Sequence, residues 1–385
     1  MYIKTLALQN FRNHARRSLE LSQGINVFVG DNAQGKTNLL EAIYVTCIGR
    51  GFRSPRDKDV IRFGQHFAKV KTIATKKFGD ISIEVIINNP ENTSRTLKQI
   101  KVNEIPILKM GELMGNVACV FFNPDELKLV KEAPADRRRF MDIDISQMDK
   151  TYFYNLLRYN KILKQRNALL KGIDTKNETE MRGLDIWDEQ LATAGEQIIK
   201  RRIYFCEELN KLLPPVHTAL AVDETVTLTY ETNGGNMPGA SKCSTATLLS
   251  PTDQGAPQDE HSEVPGMLAA VRSARANDLR LRTTTVGPHR DDILLQINGR
   301  DVRLFASQGQ QRTVALSLKI AELKIFEQAL GEKPILLLDD VFSELDAKRQ
   351  EKLLKLISGW QTVITTTEFN LPLPNAKVFK ISCVH

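Results

Sequence analysis

The chain has 385 residues, of which 42% are hydrophobic and 26% charged, the balance of a soluble globular protein with room for two domains or one elaborated domain. No uncharged apolar run of about 18 residues occurs, which excludes a transmembrane helix, and five scattered cysteines without a C-x-x-C pair point to reduced thiols in a cytoplasm rather than disulfides or zinc. A net charge of +7 and a pI near 9.0 lean toward a polyanionic partner without establishing one.

Residues 1–30 alternate in strand fashion around a polar turn, Gln9-Asn-Phe-Arg-Asn-His14, and the first residues lack the basic-then-apolar layout of a signal peptide. Gly24 to Val29 is predicted as a buried strand, and Asn38 to Ile48 carries apolar residues at helical spacing. Residues 60–107 are β-rich, with Ala68–Ala74 and Ile81–Ile87 alternating and Asn88-Asn-Pro-Glu-Asn92 as a turn cluster. Val117–Phe122 is a further strand, which Pro124 is expected to stop before a helix opens. From about 135 to 215, Tyr152, Leu156, Tyr159, Leu163 and Leu170, then Leu191, Ala194, Ile198, Phe205, Leu209 and Leu212, fall at helical spacing on either side of a polar stretch, Lys171–Arg182. Two antiparallel helices with a short coiled-coil-like seam follow from that pattern. Residues 232–265 are Gly-, Pro- and Ser-rich and are read as a flexible loop, with a helix from Met267 to about Arg280 beyond them.

Between the strand and the helix at 24–48 lies Gly30, Asp31, Asn32, Ala33, Gln34, Gly35, Lys36, Thr37, a match to the phosphate-binding pattern G-x-x-x-x-G-K-[ST] in its required strand–turn–helix context. The glycines let backbone approach an anion, and the loop N–H groups with the helix N-terminus point positive charge at phosphates. Lys36 is expected to reach the β- and γ-phosphates of ATP, and Thr37 to ligate Mg²⁺. The second half of such a site is expected on a neighbouring strand. Pro334-Ile-Leu-Leu-Leu-Asp-Asp340 supplies it, with Asp339 as a Mg²⁺ ligand and Asp340 as base or water-orienting carboxylate. A chance loop match and a buried strand capped by acids are the bland alternatives. Intact Lys36, Thr37, Asp339 and Asp340 argue against a purely scaffolding role.

Ser307-Gln-Gly-Gln-Gln-Arg312 before a helical run resembles the signature motif of ABC-class ATPases. Ser343-Glu-Leu-Asp346 resembles their D-loop, and Val363-Ile-Thr-Thr-Thr367 stands where the switch strand is, with threonine in place of the common histidine. The resemblance implies an α/β fold: an ABC-type P-loop ATPase head of mixed and parallel sheets with flanking helices, plus an inserted helical arm. It also implies a composite site in which Ser307, Gly309, Gln310 and Asp346 face a nucleotide held by a second subunit, so that ATP drives homodimerisation. The expected division is head at 1–122 and 283–385, arm at 123–282.

Three segments narrow the resemblance to the RecF family of bacterial DNA replication and repair proteins: Leu8-Gln-Asn-Phe-Arg-Asn-His14, Pro124 to Asp142, and Leu337 to Arg349. Gly287-Pro-His-Arg-Asp-Asp292 is likewise similar, although no role is assigned to it. Glu132 stands where that family's pattern usually has glycine, and Asp340 matches it where other ABC ATPases carry glutamate. No glutamine follows Phe122 where a Q-loop is expected. Membership implies nucleotide contacts from Arg12 and Asn13, weak ATPase activity used as a switch, binding of double-stranded DNA near gaps or single/double-strand junctions, and cooperation with RecR and RecO in loading RecA onto gapped DNA coated by single-strand-binding protein. An ABC-type subunit of a transporter or another non-DNA machine is the alternative. A transporter head would need a membrane partner and usually a switch histidine.

Basic residues cluster on the arm and its base: Arg137, Arg138, Arg139, Arg158, Lys161, Lys164, Arg166, Lys200, Arg201 and Arg202, with Arg50, Arg53 and Arg56 after the P-loop helix. Phosphate contacts from them would be sequence-independent and salt-sensitive. Solvated helix faces, or pairing of Arg137–Arg139 with Asp142 or Asp144, remain the structural readings.

Overall fold

The computed structural model describes residues 1–54, 56–90, 96–123, 127–221, 223–233, 266–368 and 375–382. Pro124 and residues 234–265, most of the expected loop, lie outside them.

A five-stranded, all-parallel sheet carries the site. Its order is β14 (Lys377–Lys380), β3 (Ile25–Val29), β13 (Thr362–Thr366), β12 (Ile335–Asp339) and β8 (Cys119–Phe122). Strand β12 is a continuous apolar run because both faces are covered. Ile335 and Leu337 enter one core, Leu336 and Leu338 the other, in the two-residue alternation of a strand. The first core includes helix α1 (Lys36–Ile48) and a six-stranded antiparallel sheet. That sheet runs β2 (His14–Glu20), β1 (Tyr2–Phe11), β4 (Phe67–Lys76), β5 (Gly79–Asn88), β6 (Leu97–Val102) and β7 (Ile105–Pro106).

The second core joins the parallel sheet to the helices. They are α2 (Leu127–Lys131), α3 (Pro134–Met148), α4 (Lys150–Gly172), α5 (Glu178–Leu220), α6 (Met267–Leu281), α7 (Val302–Phe305), α8 (Gln308–Leu330) and α9 (Ala347–Leu356). Tyr152, Tyr159, Leu170, Leu191, Ala194, Ile198, Phe205 and Leu209 are buried as the helical spacing predicts. Helix α4 starts on Asp149, whose carboxylate accepts the Thr151 and Tyr152 amides, and α5 starts on Asn177, which caps Thr179 and Glu180 in the same way. A three-stranded sheet of β9 (Val226–Glu231), β10 (Asp292–Ile297) and β11 (Arg300–Asp301) joins the end of the arm segment to the start of the last one. Segments 123–282 and 283–385 therefore share a core and a sheet.

Among the described residues, no helix is long and apolar enough to cross a membrane, and Cys47, Cys119 and Cys206 are free buried thiols.

Several arginines read as DNA candidates are buried instead. Arg137 is 1% exposed and grips both carboxylate oxygens of Asp292 at 2.7 and 2.8 Å, with Nη1 on the carbonyls of Leu129 and Glu132. Neither Asp142 nor Asp144 is its partner. Arg166 is fully buried, bonded to Asp188 and Asp278 at 2.7 Å each and to Thr284. Arg202 is buried against Asp142, Tyr152 and the Pro288 carbonyl. Arg138 is half-buried and donates to the Asp291 carbonyl. Arg137, Arg166 and Arg202 are out of contact with water, and carboxylates and carbonyls offset most of the cost of burying their charge.

The motif Gly287–Asp292 supplies much of that matching. His289 sits between Tyr159 Oη (2.7 Å from Nδ1) and the Thr284 carbonyl (3.1 Å from Nε2). Asp291 accepts from the Tyr230 hydroxyl and the Asn233 amide. Gly287 has φ +128°, and a Cβ there would strike the Tyr159 hydroxyl and the Met267 side chain. The motif ties the strand at 292–297 to α3, α4 and α5.

Candidate functional site

Strand β13 lies between β3 and β12, so the P-loop at the end of β3 and the carboxylates at the end of β12 flank one intervening strand. Across it the two halves of the site meet: Thr37 Oγ1 donates to Asp339 Oδ1 at 2.7 Å, a contact between residues 302 positions apart. Thr365, paired with Asp339 in register, donates to the same oxygen at 2.7 Å. Its Oγ1 and carbonyl also accept the Asp340 amide at 3.0 and 3.2 Å. Asp340 is thereby held at φ +53°, a left-handed conformation that non-glycine residues adopt at a cost of order 1 kcal/mol. Its Oδ1 is buried without a hydrogen-bond partner among the described residues. A carboxylate oxygen in that condition suits a water still to be received.

The P-loop is ordered by its own side chains. Gln34 accepts the Asp31 amide at 3.0 Å and donates to the Asp31 carboxylate at 3.1 Å, while Asp31, Asn32 and Ala33 face solvent. Gly35 has φ +93° and packs on the Asn13 side chain, where a Cβ would collide. Asn13 in turn accepts from Asn38 Nδ2 at 2.7 Å, and His14 Nε2 reaches the Gly35 carbonyl at 3.1 Å. Lys36 Nζ lies on the carbonyls of Gly30 and Asp31. Burial lowers its pKa, against the pull of the Asp340, Asp31 and Asp339 carboxylates. Burial likewise raises the Asp339 carboxyl above its usual range despite the Thr365 and Thr37 hydroxyls. Asp31, Asp339 and Asp340 thus surround the Lys36 ammonium with negative charge.

The donor set fits Mg²⁺: a hydroxyl and a carboxylate, hard oxygens already in contact. Among the described residues no cluster of three or more His, Cys, Asp or Glu is placed to hold a metal ion.

Arg12, expected at the nucleotide, is committed to Glu41 through Nε and Nη2 at 2.7 and 2.9 Å and to the Asp59 carbonyl through Nη1. Arg53, expected on DNA, turns to the site: Nη1 donates to Asn38 at 2.8 Å and its charge acts on Asp339. Arg56 is exposed and pairs with Asp59 at 3.3 Å. Arg158, Lys161 and Lys164 lie exposed on α4. Ser307 begins α8 as its N-cap in a reciprocal capping box with Gln310. Above Gly309 a Cβ would meet the Arg349 guanidinium at 3.9 Å and Ser307 Oγ at 4.0 Å, so the Arg349 side chain lies over this helix end. Asp346 caps α9 through the Arg349 amide at 2.9 Å.

Sequence reasoning missed the specific role of Thr365 and the buried Glu41. A lone carboxylate in the apolar run Leu39-Leu40-Glu41-Ala42 was the available signal for the latter. One of three successive threonines gave none for the former.

Fold and site define an ABC-type ATPase head of the SMC class. The family model described as "RecF/RecN/SMC N terminal domain" matches residues 2–380. The SMC head bound to the C-winged helix domain of ScpA superposes with a TM-score of 0.52 at 15% identity, covering 96% of this chain and 90% of that one, a likeness of fold alone. Two proteins named DNA replication and repair protein RecF are far nearer. That of Alkaliphilus oremlandii (strain OhILAs) is 42% identical over 372 residues, 95% of this chain and 93% of the relative. That of Bacillus pumilus (strain SAFR-032) is 39% identical over 388 residues, 99% and 98%. A solved structure of the recombination mediator protein RecF-ATP in the RecFOR pathway gives a TM-score of 0.84 at 36% identity, covering 99% of this chain and 95% of that one. The chain belongs to the RecF family.

Proposed function

We propose that the chain is an ATP-dependent DNA-binding switch of replication and recombinational repair. ATP binding joins two heads on double-stranded DNA near gaps or single/double-strand junctions, and slow hydrolysis releases them. With RecR and RecO, the closed dimer helps load RecA onto gapped DNA coated by single-strand-binding protein, in the bacterial cytoplasm. The relatives' names and the ATP-bound RecF structure support this reading. Residues 1–122 and 283–385 serve as the head and 123–282 as the arm.

The observation that carries the nucleotide part is the 2.7 Å contact of Thr37 with Asp339, beside the unpartnered Oδ1 of Asp340. Lys36 leaves the Gly30 and Asp31 carbonyls and neutralises the β- and γ-phosphates, which the loop amides cradle. Bound Mg²⁺, held by Thr37 and Asp339, would supply charge neutralisation on the phosphate oxygens. Asp340 orients the attacking water and takes its proton. One carbon shorter than glutamate, it reaches less far, which suits slow hydrolysis. Ser307 and the N-terminus of α8 close on the γ-phosphate of the other subunit.

Self-association measured with and without ATP and Mg²⁺ tests this. ATP is expected to drive dimerisation in the parent protein; Lys36→Arg should weaken nucleotide binding, and Ser307→Arg should abolish dimerisation while sparing it. A parent protein that hydrolyses ATP as a monomer would sink the composite-site reading.

A further inference from the structure

We infer that Glu224 is a positioning residue for the signature motif: with His217 it fixes Gln310, and through Gln310 the orientation of Ser307. The inference rests on the reading of Ser307–Gln310 as the motif that closes on a second subunit's phosphate.

Gln310 has two tasks with one rigid amide. Its Oε1 accepts the Ser307 amide at 2.8 Å, closing the capping box, and its Nε2 donates to Glu224 Oε1 at 2.9 Å. Because the amide is planar, fixing Nε2 fixes where Oε1 points. The other Glu224 oxygen, Oε2, lies 3.0 Å from His217 Nε2. His217 is fully buried in the last turn of α5, and its Nδ1 stands 2.9 Å from Ser317 Oγ. A ring with hydrogen on Nε2 donates to Glu224 and leaves Nδ1 facing the serine hydroxyl. The one hydrogen of Ser317 Oγ is shared between this nitrogen and the Thr313 carbonyl, 2.7 Å from the oxygen.

The chain thus leaves α8 at Gln310 and returns to it at Ser317. Seven residues are two helical turns, so both side chains lie on one face, about 10 Å apart along the axis. Glu224 and His217 bridge that span as a bracket from the end of α5. The backbone beside Glu224 is itself pinned, since Thr225 and Asn298 exchange bonds of 2.9 Å through the Asn298 amide and side chain. A capping box alone can fray at an exposed helix end. A carboxylate held by a buried histidine keeps this one shut before the partner arrives, so ordering of the motif is not charged against dimerisation.

The full-length protein tests the assignment through ATP-driven self-association, with nucleotide affinity of the dilute monomer and thermal melting measured alongside. Glu224→Ala should weaken association about tenfold, the size expected for losing a charged hydrogen bond, and leave monomer nucleotide affinity within about twofold. Glu224→Gln keeps an acceptor for Gln310 and, with the ring hydrogen moved to Nδ1 to donate to Ser317 Oγ, a donor for Nε2, and should associate within about twofold of the parent. Glu224→Ala combined with Gln310→Ala should be no weaker than the worse single variant, because both cut one link. A merely structural role would lower the melting temperature without this split. Parent-like association of Glu224→Ala, while Ser307→Arg abolishes dimerisation, overturns the positioning role; dimerisation that survives in Ser307→Arg overturns the signature reading beneath it. Should Glu224→Ala fail to fold, Gln310→Ala probes the same link from the helix end, and parent-like association there is equally fatal.

Discussion

One hydroxyl, Thr365 Oγ1, donates to Asp339 and accepts the Asp340 amide, so it sets at once the carboxylate proposed to hold Mg²⁺ and the one proposed to orient water. Thr365→Val keeps the volume and the β-propensity of the strand and removes both bonds. Hydrolysis is expected to fall about tenfold, with nucleotide affinity within about threefold, as a steady-state assay with a binding titration would read. His289 makes a different prediction at the same scale. Burial holds its pKa near 4, below the usual 6.5, so the ring is neutral between Tyr159 and the Thr284 carbonyl. The unfolded chain binds a proton between those values and the fold does not. Stability therefore falls as pH drops from 6.5 to 4 and flattens below. In His289→Gln, the loss of unfolding free energy between pH 7 and pH 4.5 should shrink by about 2 kcal/mol in urea titrations. Lys36, Thr37, Asp339 and Asp340 were legible in the sequence because each sits in a local pattern. The part of His289 was not, because Tyr159 lies 130 residues away.

At the scale of elements, the arm helices were legible from apolar spacing, since burial of one face is a property of each helix alone. The fate of their arginines was not. Charge can be read from sequence, but whether a guanidinium meets water or carboxylates depends on which helices pack together. Arg166 joins α4 to Asp188 on α5 and Asp278 on α6, and Arg275 bonds Asp188 as well. Removing one member leaves buried charge uncompensated. Arg166→Met is expected to destabilise by about 3 kcal/mol or more in chemical denaturation, far beyond an exposed charge such as Lys164. A cost under 1 kcal/mol would mean that Asp188 and Asp278 find other partners. The three-stranded sheet also escaped the sequence, because β9 and β10 are separated by the Gly- and Pro-rich segment and by α6.

For the molecule as a whole, burial divides the basic residues into two sets with opposite expectations. Arg158, Lys161 and Lys164 stand exposed along α4 at three-residue intervals; Arg137 and Arg202 are buried in ion pairs with Asp292 and Asp142. If the exposed set meets the phosphates of duplex DNA, each contact releases counterions, and the logarithm of affinity falls with the logarithm of salt at about 0.9 per phosphate. Replacing Lys161 and Lys164 by alanine should lower that slope by about 1.8 and weaken duplex binding most at low salt, with the melting temperature unchanged. Arg137→Ala should do the reverse, lowering the melting temperature, because Asp292 loses its bidentate partner in the interior. An unchanged slope in the double variant would move the DNA surface off α4. Arg50 and Arg56, exposed after the P-loop helix, would then be the place to look, since Arg53 is already turned to the candidate site.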